Sequence, residues 1–157
     1  MQLTSSAFQP GESIPVRFTC EGQNISPEFS WREAPAETQT FALILHDPDA
    51  PRPGGFTHWV LYNIPRTVTH LEENVARQLT VAGLCTQGKN DGGKNGYVGP
   101  CPPSGTHRYF ARIFALDEEL KLNPGASHEE VTAAMKEHIL DQAELMGTYA
   151  KKQQKAA

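Results

Sequence analysis

Two short runs carry the strongest hydrophobic pattern in the chain, FALILH at 41–46 and HWVLYNI at 58–64. Both are rich in β-branched and aromatic residues and of strand length. Three prolines and two glycines lie between them, which no strand interior tolerates. The pattern predicts strand, rigid loop, strand. A period of two puts Phe41, Leu43, Leu45 and Asp47 on one side of the first strand, with Ala42, Ile44 and His46 on the other. On the returning strand the same period groups His58, Val60, Tyr62 and Ile64 against Trp59, Leu61 and Asn63. Both faces are apolar, as expected of strands in the middle of a sheet. Asp47 closes an apolar face, where a carboxylate is costly unless something pairs with it.

Around this pair the rest of the chain falls into place. Residues 1–30 carry short apolar pieces cut by PG, EG and SP, predicting brief strands and turns, and Trp31 reads as a core or loop anchor. Residues 66–96 are poor in pattern and predict a surface excursion with a helical turn or two. Within them QGKNDGGKNG has four glycines among ten residues and lacks the P-loop spacing, so it is a loop without a nucleotide signature. After Gly99, Pro100, Pro102 and Pro103, the run HRYFARIFAL predicts a long strand presenting His107, Tyr109, Ala111 and Ile113 together, with Arg108, Phe110, Arg112 and Phe114 opposite. Ser127 with Glu130 forms a capping box, and Val131, Met135 and Ile139 or Leu140 recur at helical spacing. The predicted helix spans 127–142, with His128 and His138 as surface residues and LMGTY returning to a strand.

Composition narrows the function. The chain of 157 residues has the length of one domain, assigned to 1–150, with 151–157 as a solvated basic tail. A net charge of −4 without a basic cluster argues against nucleic acid. The first residues lack a signal-peptide pattern and no run approaches a membrane span, which points to the cytoplasm with no integral membrane contact. Cys20, Cys85 and Cys101 are an odd set without CxxC spacing, so buried thiols are expected in place of a disulfide framework or zinc site.

DPDAP before an HW strand, then GPCPP and GTHRY, then ELMGTY, together resemble the phosphatidylethanolamine-binding protein family in its bacterial, Raf-kinase-inhibitor-like branch. The likeness runs from LTSSAF to ELMGTY, nearly the whole chain. It implies a mainly β fold, a β-sandwich with a Greek-key core, one helix in the C-terminal region and short helical turns. It also implies a small surface cavity for anions such as phosphate head groups, and no settled catalytic activity. Carried over position by position, the pocket acid falls on Asp47 with Asp49 beside it, the turn proline on Pro51, and the pocket histidines on His58 and His107. The tyrosine falls on Tyr109, and the proline-rich wall on Cys101, Pro102 and Pro103, with cysteine where eukaryotic members usually have glycine. The chain looks shorter at its end than eukaryotic forms, which implies a more open mouth.

The residue types support the same reading. Two imidazoles and a phenol supply donors for phosphate oxygens, a proline wall excludes water, and an acid fixes a histidine tautomer. Binding is then expected to take up protons and tighten from about pH 7.5 to about 6. Asp49 has a competing use in capping the DPDAP turn. Neither a cofactor nor a metal is expected. The anion-binding reading extends to modulation of phosphorylation-linked signalling, and the competing functions are a metal-dependent enzyme built on the Asp/His cluster and a kinase-inhibitor-like interaction module docking a phosphorylated or kinase-like partner. Resemblance to bacterial members leaves room for a homodimer.

Overall fold

The computed structural model describes residues 1–152, so most of the tail assigned to 151–157 lies outside the described residues. In chain order the strands are β1 (Gln2–Thr4), β2 (Phe29–Arg32), β3 (Thr40–Asp47), β4 (Phe56–Pro65), β5 (His70–Leu71), β6 (Thr80–Val81), β7 (Cys85–Gln87), β8 (His107–Leu116) and β9 (Ile139–Tyr149), with helix α1 (His128–Met135) before β9. They form a six-stranded sheet ordered β6-β7-β4-β3-β8-β9 and a three-stranded sheet ordered β1-β2-β5. All strand pairs are antiparallel. The fold is the expected mainly β arrangement.

The alternation of β3 and β8 builds the core. Phe41, Leu43 and Leu45 with Ala111 and Ile113 face Leu3, Phe29, Trp31 and Leu71 of the small sheet. Ala42 and Ile44 face the other way, toward Val131 and Met135 of α1. The central strands are therefore buried on both faces, as their unbroken apolar runs require.

β4 departs from strict alternation twice. Leu45 pairs with Trp59 but His46 pairs with Thr57, leaving His58 as an extra residue without a partner on β3. A bulge of this kind turns one side chain to the opposite face. His58 consequently leaves the Val60 and Tyr62 face, where a period of two puts it, and joins Trp59 and Asp47. A second shift lies between Ile64 and Leu61, next to Asn63 at φ 51°, and moves Ile64 into the core shared with Leu61.

Other expectations change as well. The capping box of Ser127 and Glu130 is present, but α1 ends at Met135, and residues 139–142 belong to β9. Strand pairing with β8 from His107–Tyr149 to Leu116–Ile139 outweighs one more helical turn, and Ile139 and Leu140 end up exposed. A tight turn precedes the strand, with His138 N–H bonded to the Met135 carbonyl at 2.8 Å. The His138 imidazole is held between Asp117 and Glu118. Residues 66–96 form short strands β5 to β7 in place of helical turns. Cys20 and Cys101 are both exposed and form a disulfide across 81 residues, so the thiol expectation holds for Cys85 alone.

Candidate functional site: a walled cavity at one end of the central strands

Asp47 ends β3 facing the core, where it is 2% exposed. Its Oδ1 accepts the Asp49 N–H at 2.7 Å, closing the turn after β3, and its Oδ2 accepts from His107 Nδ1 at 2.7 Å. One carboxylate thus caps the DPDAP turn and orients an imidazole. The loop returns to β4 through Gly55 at φ 78°, where any Cβ would overlap the Asp47 carbonyl oxygen. On β8, the alternation of His107 and Tyr109 sends both rings to the Asp47 side. The bulge delivers His58 to the same place, 5.3 Å ring to ring from Tyr109 and 4.7 Å from Phe56.

The fourth side is the stretch Val98 to Pro103. Gly99 N–H donates to Asn24 Oδ1 at 2.7 Å, Tyr97 O–H to the Phe18 carbonyl at 2.6 Å, and Cys20 N–H to the Pro100 carbonyl at 3.1 Å. The Cys20–Cys101 disulfide adds a covalent tie to the same loop. These elements enclose a cavity of about 260 Å³.

Asp47, Pro51, His58, Cys101, Pro102, His107 and Tyr109 all line it. Asp49 does not. Its carboxylate takes both Arg108 Nε and Nη2 at 2.9 Å, together with the Arg108 backbone N–H, and these bonds hold its pKa down to about 2. Asp49 fastens the loop to the start of β8. Sequence reasoning missed Arg52 and Phe56, which line the cavity as a pair, the guanidinium 5.5 Å over the ring. Their signal was a cation directly after DPDAP and an aromatic opening the next strand.

Electrostatics and hydrogen bonding fix what the cavity offers. Burial pushes the His58 pKa down to about 4, only partly opposed by the Val98 carbonyl and Asp47. His58 Nδ1 lies 2.7 Å from the Val98 carbonyl, and a carbonyl only accepts, so Nδ1 carries the proton. His107 Nδ1 bears a proton for the same reason, facing the Asp47 carboxylate. Neither Nε2 meets a hydrogen-bond partner among the described residues. The Tyr109 hydroxyl, on a residue 1% exposed, is also without a partner, and burial raises its pKa. Trp31 Nε1 is likewise buried and without a hydrogen-bond partner among the described residues, but Trp31 is not part of the lining.

On the opposite face of the sheet, His46 and His128 both bond Thr57 Oγ1, at 2.9 and 2.8 Å. His128 is therefore half-buried and tied to β4, against the expectation of a surface residue. His46 has the structural part expected of it. Among the described residues no three His, Cys, Asp or Glu side chains are grouped as metal ligands.

The family model for phosphatidylethanolamine-binding protein matches residues 4–150. A UPF0098 protein of Methanothermobacter thermautotrophicus is 52% identical, covering 95% of this chain and 98% of its own, and one of Aquifex aeolicus is 47% identical over 95% and 88%. Among solved structures, the phosphatidylethanolamine-binding protein homologue CT736 of Chlamydia trachomatis superposes with a TM-score of 0.88 at 40% identity, covering 96% of this chain and 97% of that one. Escherichia coli YbcL, a member of the mammalian PEBP family, gives 0.89 at 33% identity, covering 96% and 98%.

Proposed function

The chain belongs to the phosphatidylethanolamine-binding protein family, and on that premise we propose that its cavity binds a small anionic ligand, phosphate or a phosphorylated head group such as phosphoethanolamine. The carrying observation is the Tyr109 hydroxyl, buried in the cavity lining without a hydrogen-bond partner among the described residues. Leaving such a group unsatisfied costs about 1–3 kcal/mol, and an oxyanion oxygen relieves that cost. Arg52 at the same cavity supplies positive charge, held by Phe56 and not neutralised by a carboxylate ion pair among the described residues. Asp47 acts through His107, holding the ring so that Nε2 is the nitrogen left to the ligand.

The reading is one of binding without turnover. Asp47 is engaged at both oxygens, and among the described residues the Tyr109 hydroxyl has no hydrogen-bonded base to activate it as a nucleophile. No helix among the described residues is long and apolar enough to cross a membrane. The cytoplasmic placement now carries a condition, because an exposed disulfide persists in an oxidising compartment or in the disulfide-rich cytoplasm of thermophiles.

The test is calorimetric titration of wild type and Tyr109→Phe with phosphate and phosphoethanolamine near pH 6.5. Binding by wild type and a loss of about tenfold in the variant support the proposal. Equal affinities in the two proteins contradict it.

A further inference from the structure

The hydrogen-bond acceptors behind the two histidines decide more than their orientation. The Val98 carbonyl and the Asp47 carboxylate each require a proton on the Nδ1 they face, at 2.7 Å in both cases. A neutral imidazole has one N–H, so a neutral ring held with its proton on Nδ1 presents a lone pair at Nε2, and burial keeps His58 in that form. With Asp47 in the same lining, the neutral cavity opposes an anion on three of its polar groups and favours it only at the Tyr109 hydroxyl and Arg52. A fully deprotonated oxyanion placed there meets acceptor against acceptor. The conflict disappears if one proton comes with the ligand.

Resting on the anion-binding reading above, we infer that the cavity selects oxyanions that still hold a titratable proton, phosphate monoesters and phosphonates, over aprotic tetrahedral anions such as sulfate and phosphodiesters. The ligand P–OH donates to a bare Nε2, or passes its proton to that nitrogen to give an imidazolium beside a dianion. Both arrangements contain the same atoms and the same proton. Neither can be written for sulfate or a phosphodiester without taking the proton from solvent against the burial of His58.

The groups around each ring set how far this holds. His58 faces Tyr109 of β8 and feels the charges of Asp47 at the end of β3, of Asp91 in the glycine-rich loop and of His46 across the sheet, with Arg52 on the cavity rim. His107 is faced by Asp47 and Asp49, with Tyr109 stacked at 6.5 Å and Arg108 next along the strand. Burial dominates at His58, which stays neutral in the empty cavity through the physiological range. A phosphate monoester has its second pKa at about 6, so a useful fraction carries the proton near neutrality.

The experiment is titration of the wild-type protein at pH 7 with inorganic phosphate, methylphosphonate, sulfate and dimethyl phosphate, repeated in two buffers of different ionisation heat. Expected are binding of phosphate and methylphosphonate, sulfate and dimethyl phosphate weaker by about tenfold or more, and uptake of close to one proton per phosphate when the titration is repeated at pH 8, where the dianion dominates. Sulfate binding as tightly as phosphate, or phosphate binding without proton uptake at pH 8, overturns the selection rule while leaving anion binding in place. No anion binding at all, with methylammonium bound instead and more tightly as pH rises, overturns both.

Discussion

At the scale of single residues, a hydroxyl, two nitrogens and a carboxylate do separate work. Tyr109→Phe removes a buried donor that has no partner among the described residues, so in denaturant titration the free protein should be as stable as wild type or more stable by up to about 1 kcal/mol. The same change should weaken phosphate binding, and this opposition of sign separates a ligand role from a structural one. His107→Ala should weaken binding too, but it strands the Asp47 carboxylate in a buried position, and denaturant titration should show a loss of about 3 kcal/mol or more. Asp47, His107 and Tyr109 were legible in the sequence because a period of two carries each to the same face. His58 was legible only through resemblance, since that same period puts it on the wrong face. Arg52 was not legible, because its contribution depends on where the loop tip lies. Asp49 illustrates the converse: the carboxylate expected to touch the ligand is consumed by Arg108, and Arg108→Ala should loosen the loop and lower affinity modestly in the same titration.

At the scale of elements, two devices shape the cavity: the bulge in β4 and the tied wall. The bulge inserts one residue between Thr57 and Trp59 in register with β3, and the inserted residue is the histidine. The sequence carries no local mark for it, because HWVLYNI satisfies strand propensity with or without the extra residue. The wall depends on a pairing of Cys20 with Cys101 that spacing alone could not reveal, as the two lie 81 residues apart. Thiol titration of the unfolded, unreduced protein should find one free thiol, Cys85, and three after reduction. Closing a loop of that length stabilises a chain by about 4 kcal/mol in the entropy model, so reduction should lower the unfolding midpoint clearly. The helix ends earlier than its apolar spacing predicts for a related reason. Apolar residues at 131, 135 and 139 continue a helical stripe on paper, whereas the β8 edge offers the chain from Ile139 onward a full ladder of hydrogen bonds.

At the scale of the whole molecule, the site exists because β3, β4, β8 and the 98–103 wall meet at one end of the large sheet, while the small sheet and α1 cover its faces. The mainly β architecture was readable from strand-length apolar runs and resemblance, but the split into a six-stranded and a three-stranded sheet was not, since it rests on β1, β2 and β5 strands of two to four residues. Acid stability follows from the same burial. The His58 pKa falls from about 6.5 in the unfolded chain to about 4 when folded, so the unfolded state binds the extra proton. Stability from the neutral ring is present above about pH 6.5 and is lost as pH falls toward 4, on the order of 3 kcal/mol in all. Unfolding midpoints across that window should therefore drop with acid, and phosphate should restore part of the loss by binding the folded state. Which nitrogen of each ring meets the ligand can be read by long-range nitrogen NMR of the six imidazoles, in the free protein and during phosphate addition. His58 and His107 should carry protons on Nδ1 in the free state, and the Nε2 signals of these two should shift with phosphate while those of His46, His70, His128 and His138 stay put. Protons on Nε2 in the free protein, or Nε2 signals at His58 and His107 indifferent to phosphate, would contradict anion binding at these rings.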